Sequence, residues 1–211
     1  MTMLFWVACV AGIAAAYLLG SIPTGYLAGR LLRGIDIREH GSRSTGATNV
    51  LRTLGKGPAV VVLLVDVLKG AAAILLARWL SPGLQAPAAW LPWAVCLCGL
   101  AVLLGHSRSI WLGFTGGKSA ATGLGVLLAL SWPVGVGSAA VFLAVLALAR
   151  IVSLASMLAA VTAALFVCVL PEPLAYRLLV IAGGLYVIAL HRANIARLLA
   201  GTEPKVGRSS P

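Results

Sequence analysis

The sequence predicts an all-α integral membrane protein with seven transmembrane helices. Three observations carry that prediction. Of 211 residues, 61% are hydrophobic and only 10% charged, and the mean hydropathy is +1.03. A spanning helix needs about 20 mostly apolar residues, and Pro, Gly and charge clusters divide the chain into seven such stretches. The basic residues gather in the connections on one side, as the cytoplasmic retention of Lys and Arg requires.

The spans fall near residues 4–22, 58–80, 88–105, 120–132, 134–149, 155–170 and 174–190. The first lacks a basic start and runs into Gly20-Ser-Ile-Pro-Thr-Gly-Tyr26, which argues for a retained segment rather than a cleaved signal peptide. There Gly20, Ser21 and Gly25 suit close helix packing, and Pro23 suits a bend. The second span carries Asp66 and Lys69, spaced i to i+3. Charges inside a bilayer are expensive, and this couple can neutralise itself as a structural lock. Only Ser131, Trp132 and Pro133 separate the fourth and fifth spans, leaving open a tight hairpin or one kinked element. Cys9, Cys96, Cys98 and Cys168 sit in apolar spans without metal-ligand spacing, so neither disulfide nor zinc is expected. The whole chain, 1–211, reads as one membrane-embedded domain ending in a flexible cytoplasmic tail of about ten residues.

Sixteen basic residues face five acidic ones, a net charge of +11. Arg30, Arg33, Arg38, Arg43, Arg52, Lys56, Arg108, Lys118, Arg150, Arg192, Arg197, Lys205 and Arg208 share one side, with Arg78 and Arg177 opposite. This places the N-terminus outside and the C-terminus in the cytoplasm. For Arg197, Lys205 and Arg208 the bias reads as attraction to anionic lipid headgroups; nucleic acid is not an expected partner.

The same inner side carries three polar clusters. The first, Asp36 to Lys56, mixes hydroxyls, an amide, glycines and cations. Ser42, Thr48 and Asn49 supply small polar groups, and Arg52 offers a planar fork for phosphate. A short helix over 47–54 would present its start to an anion. Asp36, Glu39 and His40 can pair with neighbouring arginines, and Arg38 and Arg43 read as surface charges. The second cluster, Gly105 to Lys118 and beyond, contains GFTGGKSAATGLG. It ends like a nucleotide-binding loop, but GxxxxGK[ST] demands glycine where Leu112 stands, and no buried parallel strand precedes it. What survives is a small phosphate cradle: Gly116 and Gly117 allow close backbone approach and Lys118 supplies a point charge. The third cluster joins Ser153-Leu-Ala-Ser156 to His191-Arg-Ala-Asn-Ile-Ala-Arg197, with His191 and Asn194 on one helix face. No acidic group is evident beside Ser153 and His191 to complete a hydrolase triad.

Together these stretches resemble the bacterial acyl-phosphate:glycerol-3-phosphate acyltransferase family, PlsY, over nearly the whole chain. The matching pieces are Gly20 to Tyr26, Gly41-Ser with Gly-Ala-Thr-Asn49, Asp66 to Gly70, Gly105-His-Ser, Gly116-Gly-Lys118, Ser153 to Ser156, and His191-Arg-Ala-Asn-Ile195 ending in Gly-Thr-Glu203. The resemblance implies an enzyme of the bacterial inner membrane, with its active site in the cytoplasmic loops. It would transfer acyl from acyl phosphate to the first hydroxyl of glycerol 3-phosphate, with no metal or organic cofactor. A soluble enzyme making acyl phosphate becomes an expected partner. Carried over residue by residue, Ser42, Lys118, Ser153, His191 and Asn194 are the expected catalytic residues. Thr48, Asn49, Arg52, Gly116 and Gly117 are the expected substrate-binding residues. The sequence departs from the family at Arg43 and Ser44, at Ser119 where glycine is usual, and at Ala193 where glutamate is usual. No HxxxxD dyad is present.

Two rival classes remain. An anion transporter needs polar residues along the bundle axis, which the spans largely lack, and a non-catalytic assembly subunit needs no pair of phosphate-suited loops.

Overall fold

A computed structural model describes residues 3–80 and 88–207, and among these the regular structure is helical. In chain order the helices are α1 (Met3–Ser21), α2 (Thr24–Arg33), α3 (Ala47–Thr53), α4 (Lys56–Leu80), α5 (Leu91–Ser107), α6 (Ala120–Leu130), α7 (Trp132–Ala149), α8 (Val152–Val169), α9 (Leu174–Leu190) and α10 (Arg192–Leu199). By length and composition α4, α7, α8 and the α1–α2 run can each cross a membrane. The bent α9–α10 pair makes a fifth candidate, and α5 and α6 are shorter apolar helices. Each anticipated apolar stretch falls on a helix, α1 or one of α4 to α9, with ends moved by a few residues, while among the described residues four helices, or five with the bent pair, are long and apolar enough to cross.

The hydrophobic effect is spent differently here than in water. Large apolar side chains such as Leu64, Leu143, Leu148, Leu165 and Val169 are exposed, as they must be when lipid tails are the solvent. The interior is built from smaller contacts. Helices α4 and α6 meet where Gly70 lies against the Thr122 carbonyl and Gly125 against the Val67 carbonyl, so a methyl at either position would strike backbone. Behind them Ile74, Val95, Val102, Val126, Val134, Val167 and Leu179 form the buried core.

Helix α1 ends at Ser21, Ile22 and Pro23 break the helix before α2, and Gly20 presses on the Val102 backbone of α5. The α2 segment had no counterpart among the expected spans. It packs against α3 and α4 and carries Arg30 and Arg33 in its last turn. Between α6 and α7 the extended Ser131 reverses the chain, and Gly135 packs on the Leu128 backbone. The hairpin is therefore the outcome. Arg78 donates to the carbonyls of Ala129 (2.6 Å) and Leu130 (2.8 Å) at the end of α6, and Arg177 donates to Leu170 O (3.1 Å). The two basic residues opposite the main cluster thus cap helix ends.

The tail expected to be free is anchored at its start: Glu203 is buried, and the Val206 N–H donates to Arg150 O at 2.7 Å. Residues 208–211 of that tail lie outside the described residues.

Candidate active site

The three polar clusters converge on one cavity of about 740 Å³. The first is shaped by Asn49, which is 1% exposed. Its Nδ2 donates to the carbonyls of Ile37 (3.1 Å), His40 (3.0 Å) and Ser44 (2.9 Å), while its Oδ1 accepts from the Ser42 N–H at 2.8 Å. One amide side chain thereby folds loop 37–46 around itself, its two N–H hydrogens shared among three carbonyls. Ser42 stands exposed on the rim of that loop, with Thr48 and Arg52 on α3 lining the same space. Asp36 pairs with Arg38 at 2.7 Å, as the sequence suggests. The hydrogen bond from Arg38 holds its carboxyl at about 2.

The second cluster brings in Lys118. Gly116 and Gly117 lie against the end of α5: a methyl at Gly116 would strike the His106 carbonyl, and one at Gly117 would strike the His106 ring. The Gly117 N–H donates to His106 O at 3.1 Å. These glycines are thus required by the approach of the turn to α5, and Gly117's amide is already engaged. Lys118 emerges half-buried, with Nζ donating to Asn194 Oδ1 at 2.5 Å.

The third cluster supplies an acid absent from the sequence reading of this site. The carboxylate of Glu203 accepts hydrogen bonds from Ser153 Oγ (2.7 Å), Asn194 Nδ2 (2.6 Å) and Arg197 Nε (2.7 Å). The expectation that no carboxylate lies near Ser153 is therefore corrected. Glu203 sits fifty residues away, beyond the last helix, where no helical spacing could reveal it. It bonds Ser153 without an intervening histidine, so a serine-hydrolase relay is still not formed. His191 marks a 59° bend between α9 and α10. Its Nδ1 is 2.7 Å from Val187 O. A carbonyl only accepts, so Nδ1 carries the proton and Nε2 keeps its lone pair.

The charges set the site's chemistry. Burial alone would raise the Glu203 carboxyl, but bonds from Asn194, Ser153 and Arg197 hold it below the usual carboxylate value. Burial pushes the Lys118 ammonium down, and the Arg197 and Arg52 charges push the same way. Burial likewise lowers His191, with Lys118 adding to the effect. Arg52, Lys56 and Lys118 line the cavity without a salt bridge among the described residues, while Asp66 is matched by Lys69 and Glu203 by Arg197. Uncompensated cations in a half-buried cleft attract an anion, and Arg with Lys suits phosphate. The rest of the cavity is apolar, running along α4 (Leu63, Leu64, Val67), α7 (Phe142, Leu143, Leu146) and α8 to Ala163. Leu64 and Leu143 are exposed, so this slot opens sideways toward lipid.

Arg43 and Ser119, two of the departures from the family pattern, have φ of 58° each. That left-handed conformation favours glycine, the residue usual at both positions in the family the sequence resembles. Ser119 is fully buried with Oγ donating to Leu103 O at 2.8 Å, turned away from any phosphate role.

Comparison with known proteins agrees with this geometry. The family model described as glycerol-3-phosphate acyltransferase matches residues 10–201. Glycerol-3-phosphate acyltransferase 2 of Rhizobium johnstonii is 69% identical, with 98% of this chain and 99% of the relative covered. The Trichormus variabilis glycerol-3-phosphate acyltransferase is 56% identical, with coverage of 95% and 92%. Two crystal structures of PlsY, an integral membrane glycerol 3-phosphate acyltransferase, are each 40% identical and cover 95% of this chain and 96% of that one. The glycerol 3-phosphate form has a TM-score of 0.87 and the lysophosphatidic acid form 0.83. The polar pocket under a lipid-facing slot thus sits in a bacterial membrane acyltransferase, and the chain belongs to the PlsY family of glycerol-3-phosphate acyltransferases.

Proposed function

We propose that this enzyme transfers a fatty acyl group from acyl phosphate to the sn-1 hydroxyl of glycerol 3-phosphate, giving lysophosphatidic acid and inorganic phosphate, the first acylation of phospholipid synthesis. The observation that carries the reading is the continuity of one cavity. A polar end lined by Arg52, Lys56 and Lys118 passes without a wall into an apolar slot that opens between α4 and α7. Both substrates present phosphate to the first region, and the acyl chain suits the second. The two forms of the PlsY crystal structure, with glycerol 3-phosphate and lysophosphatidic acid, fit the same substrate and product.

Acyl phosphate is a mixed anhydride, so the acceptor oxygen can attack its carbonyl directly while the C–O bond to phosphate breaks. No covalent acyl-enzyme is needed, and positioning with charge stabilisation suffices. Lys118 and Arg52 hold phosphate, with Gly116 and Gly117 shaping the turn that delivers Lys118. Ser42, Ser153 and Asn194 orient the acceptor hydroxyl and the carbonyl, Thr48 and Asn49 maintain the first loop, and no cofactor or metal enters. The hydroxyl proton goes to His191 Nε2 or to a phosphate oxygen. His191→Gln separates these: loss of about 10²-fold or more in kcat identifies the histidine, and near-normal turnover identifies phosphate. The slot favours this enzyme over an anion transporter, which has no use for an acyl-sized apolar arm.

Purified enzyme given labelled glycerol 3-phosphate with palmitoyl phosphate, acyl-CoA or acyl carrier protein is expected to make lysophosphatidic acid from the acyl phosphate. Product only from a thioester overturns the donor. Lys118→Ala and Ser42→Ala are expected to abolish turnover in folded protein. The chain would work as one domain in the bacterial inner membrane, N-terminus outside and C-terminus cytoplasmic. There the soluble maker of acyl phosphate has access to the loops. Reporter fusions at each terminus test the orientation.

A further inference from the structure

The geometry points to Asp66 and His106 as a positioning pair that sets the Gly116-Gly117-Lys118 turn from behind. Asp66 on α4 and His106 on α5 are 1% and 7% exposed. Asp66 Oδ1 accepts from Lys69 Nζ at 2.8 Å and Thr24 Oγ1 at 2.7 Å, and the same oxygen lies 3.5 Å from His106 Nδ1. Lys69 also donates to Ile22 O at 3.0 Å, tying the cluster to the break between α1 and α2.

A simple lock between Asp66 and Lys69 would leave His106 no part to play. Instead Asp66 Oδ2 and His106 Nδ1 are buried without a hydrogen-bond partner among the described residues, and both residues line the substrate cavity. The opposite edge of the imidazole explains why the ring is kept there. Its Nε2 faces Gly117 so closely that a methyl at Gly117 would overlap it. The His106 carbonyl accepts the Gly117 N–H, and Gly116 rests on the same carbonyl. The ring therefore fills the space between a fixed carboxylate and the turn, and the residue that follows the turn is Lys118. The carboxylate orients the ring, the ring supports Gly117, and Gly117 fixes where the Lys118 ammonium enters the cavity. A buried ion pair is weak support for stability by itself, because desolvation offsets much of its attraction. A role in placing a charge gives the cluster a use that packing does not.

This inference rests on the reading of Lys118 as a phosphate-binding residue, and the test separates the two. Steady-state KM and kcat for both phosphate substrates would be measured on His106→Leu, His106→Gln and the double variant Asp66→Asn with Lys69→Met, which removes both charges together. Lys118→Arg, keeping the charge but moving it, identifies the substrate whose KM depends on that position. For that substrate, His106→Leu and the double variant are expected to raise KM about tenfold, with kcat per folded molecule within about threefold. His106→Gln, which keeps a polar side chain beside Asp66, is expected to recover part of the loss. An unchanged KM for both substrates, with only yield or thermal midpoint reduced, overturns the pair's role and leaves a structural lock. Near-normal turnover by Lys118→Ala removes the reading of Lys118, and this proposal with it.

Discussion

Glu203 is where a single side chain decides the most. Three donors, on Ser153, Asn194 and Arg197, end on its carboxylate. Glu203→Ala leaves the buried Ser153 hydroxyl and Asn194 amide without an acceptor, a loss of about 1–3 kcal/mol for each. A lower thermal midpoint and loss of turnover are expected, with Glu203→Gln milder because an acceptor remains. Its folded pKa is held below the unfolded value. Its stabilisation is therefore fully present above the unfolded carboxylate range and is lost as pH falls through the lower folded value. The thermal midpoint of the wild type is expected to fall below about pH 4.5, more steeply than that of Glu203→Gln. Equal slopes would show that Glu203 is not the group being titrated. Asn49 is the counterpart in the first loop: Asn49→Ala removes bonds to four backbone groups. That change is expected to cost about 3 kcal/mol in a thermal or denaturant measurement.

Elements place these residues through close contacts of small side chains. The α4–α6 crossing fixes the start of α6 and hence the exit of Lys118. Because a methyl on Gly125 would meet the Val67 carbonyl, Gly125→Ala is expected to destabilise by about 1–3 kcal/mol and to lower activity. The opposite outcome is expected at Arg43, where a side chain occupies a left-handed position on an exposed turn. Arg43→Gly relieves a strain of about 1 kcal/mol and is expected to leave activity unchanged, with a thermal midpoint equal to or above the wild type. A marked loss of turnover would instead give Arg43 a phosphate contact. The short helix expected over 47–54 is present as Ala47–Thr53, but α2 escaped notice because its mixed face has no long apolar run.

For the whole molecule the decisive feature is the direction in which the cavity points. Along α8 it extends from Ser153 to Ala163, ~15 Å at 1.5 Å per residue. An obstruction at Ala160, ~10 Å from Ser153, would shorten the apolar arm while sparing its polar end. Ala160→Phe is expected to shift preference toward shorter acyl chains, read as the ratio of kcat/KM for two chain lengths. An unaltered ratio would place the acyl chain elsewhere.

The sequence by itself determined the membrane class and the approximate limits of the apolar segments. Both depend on local composition and spacing, which the bilayer reads directly. It also carried enough motif to indicate the acyltransferase family. Only tertiary structure decided that α6 and α7 form a hairpin, that Asn49 spends its amide on its own loop, and that Glu203 returns from the tail to Ser153. It also decided that His106 stands between Asp66 and Gly117. The Ser153–Glu203 contact spans fifty residues, the Asn49 bonds depend on how one loop closes on itself, and no periodicity along the chain encodes which partner will satisfy a buried polar atom.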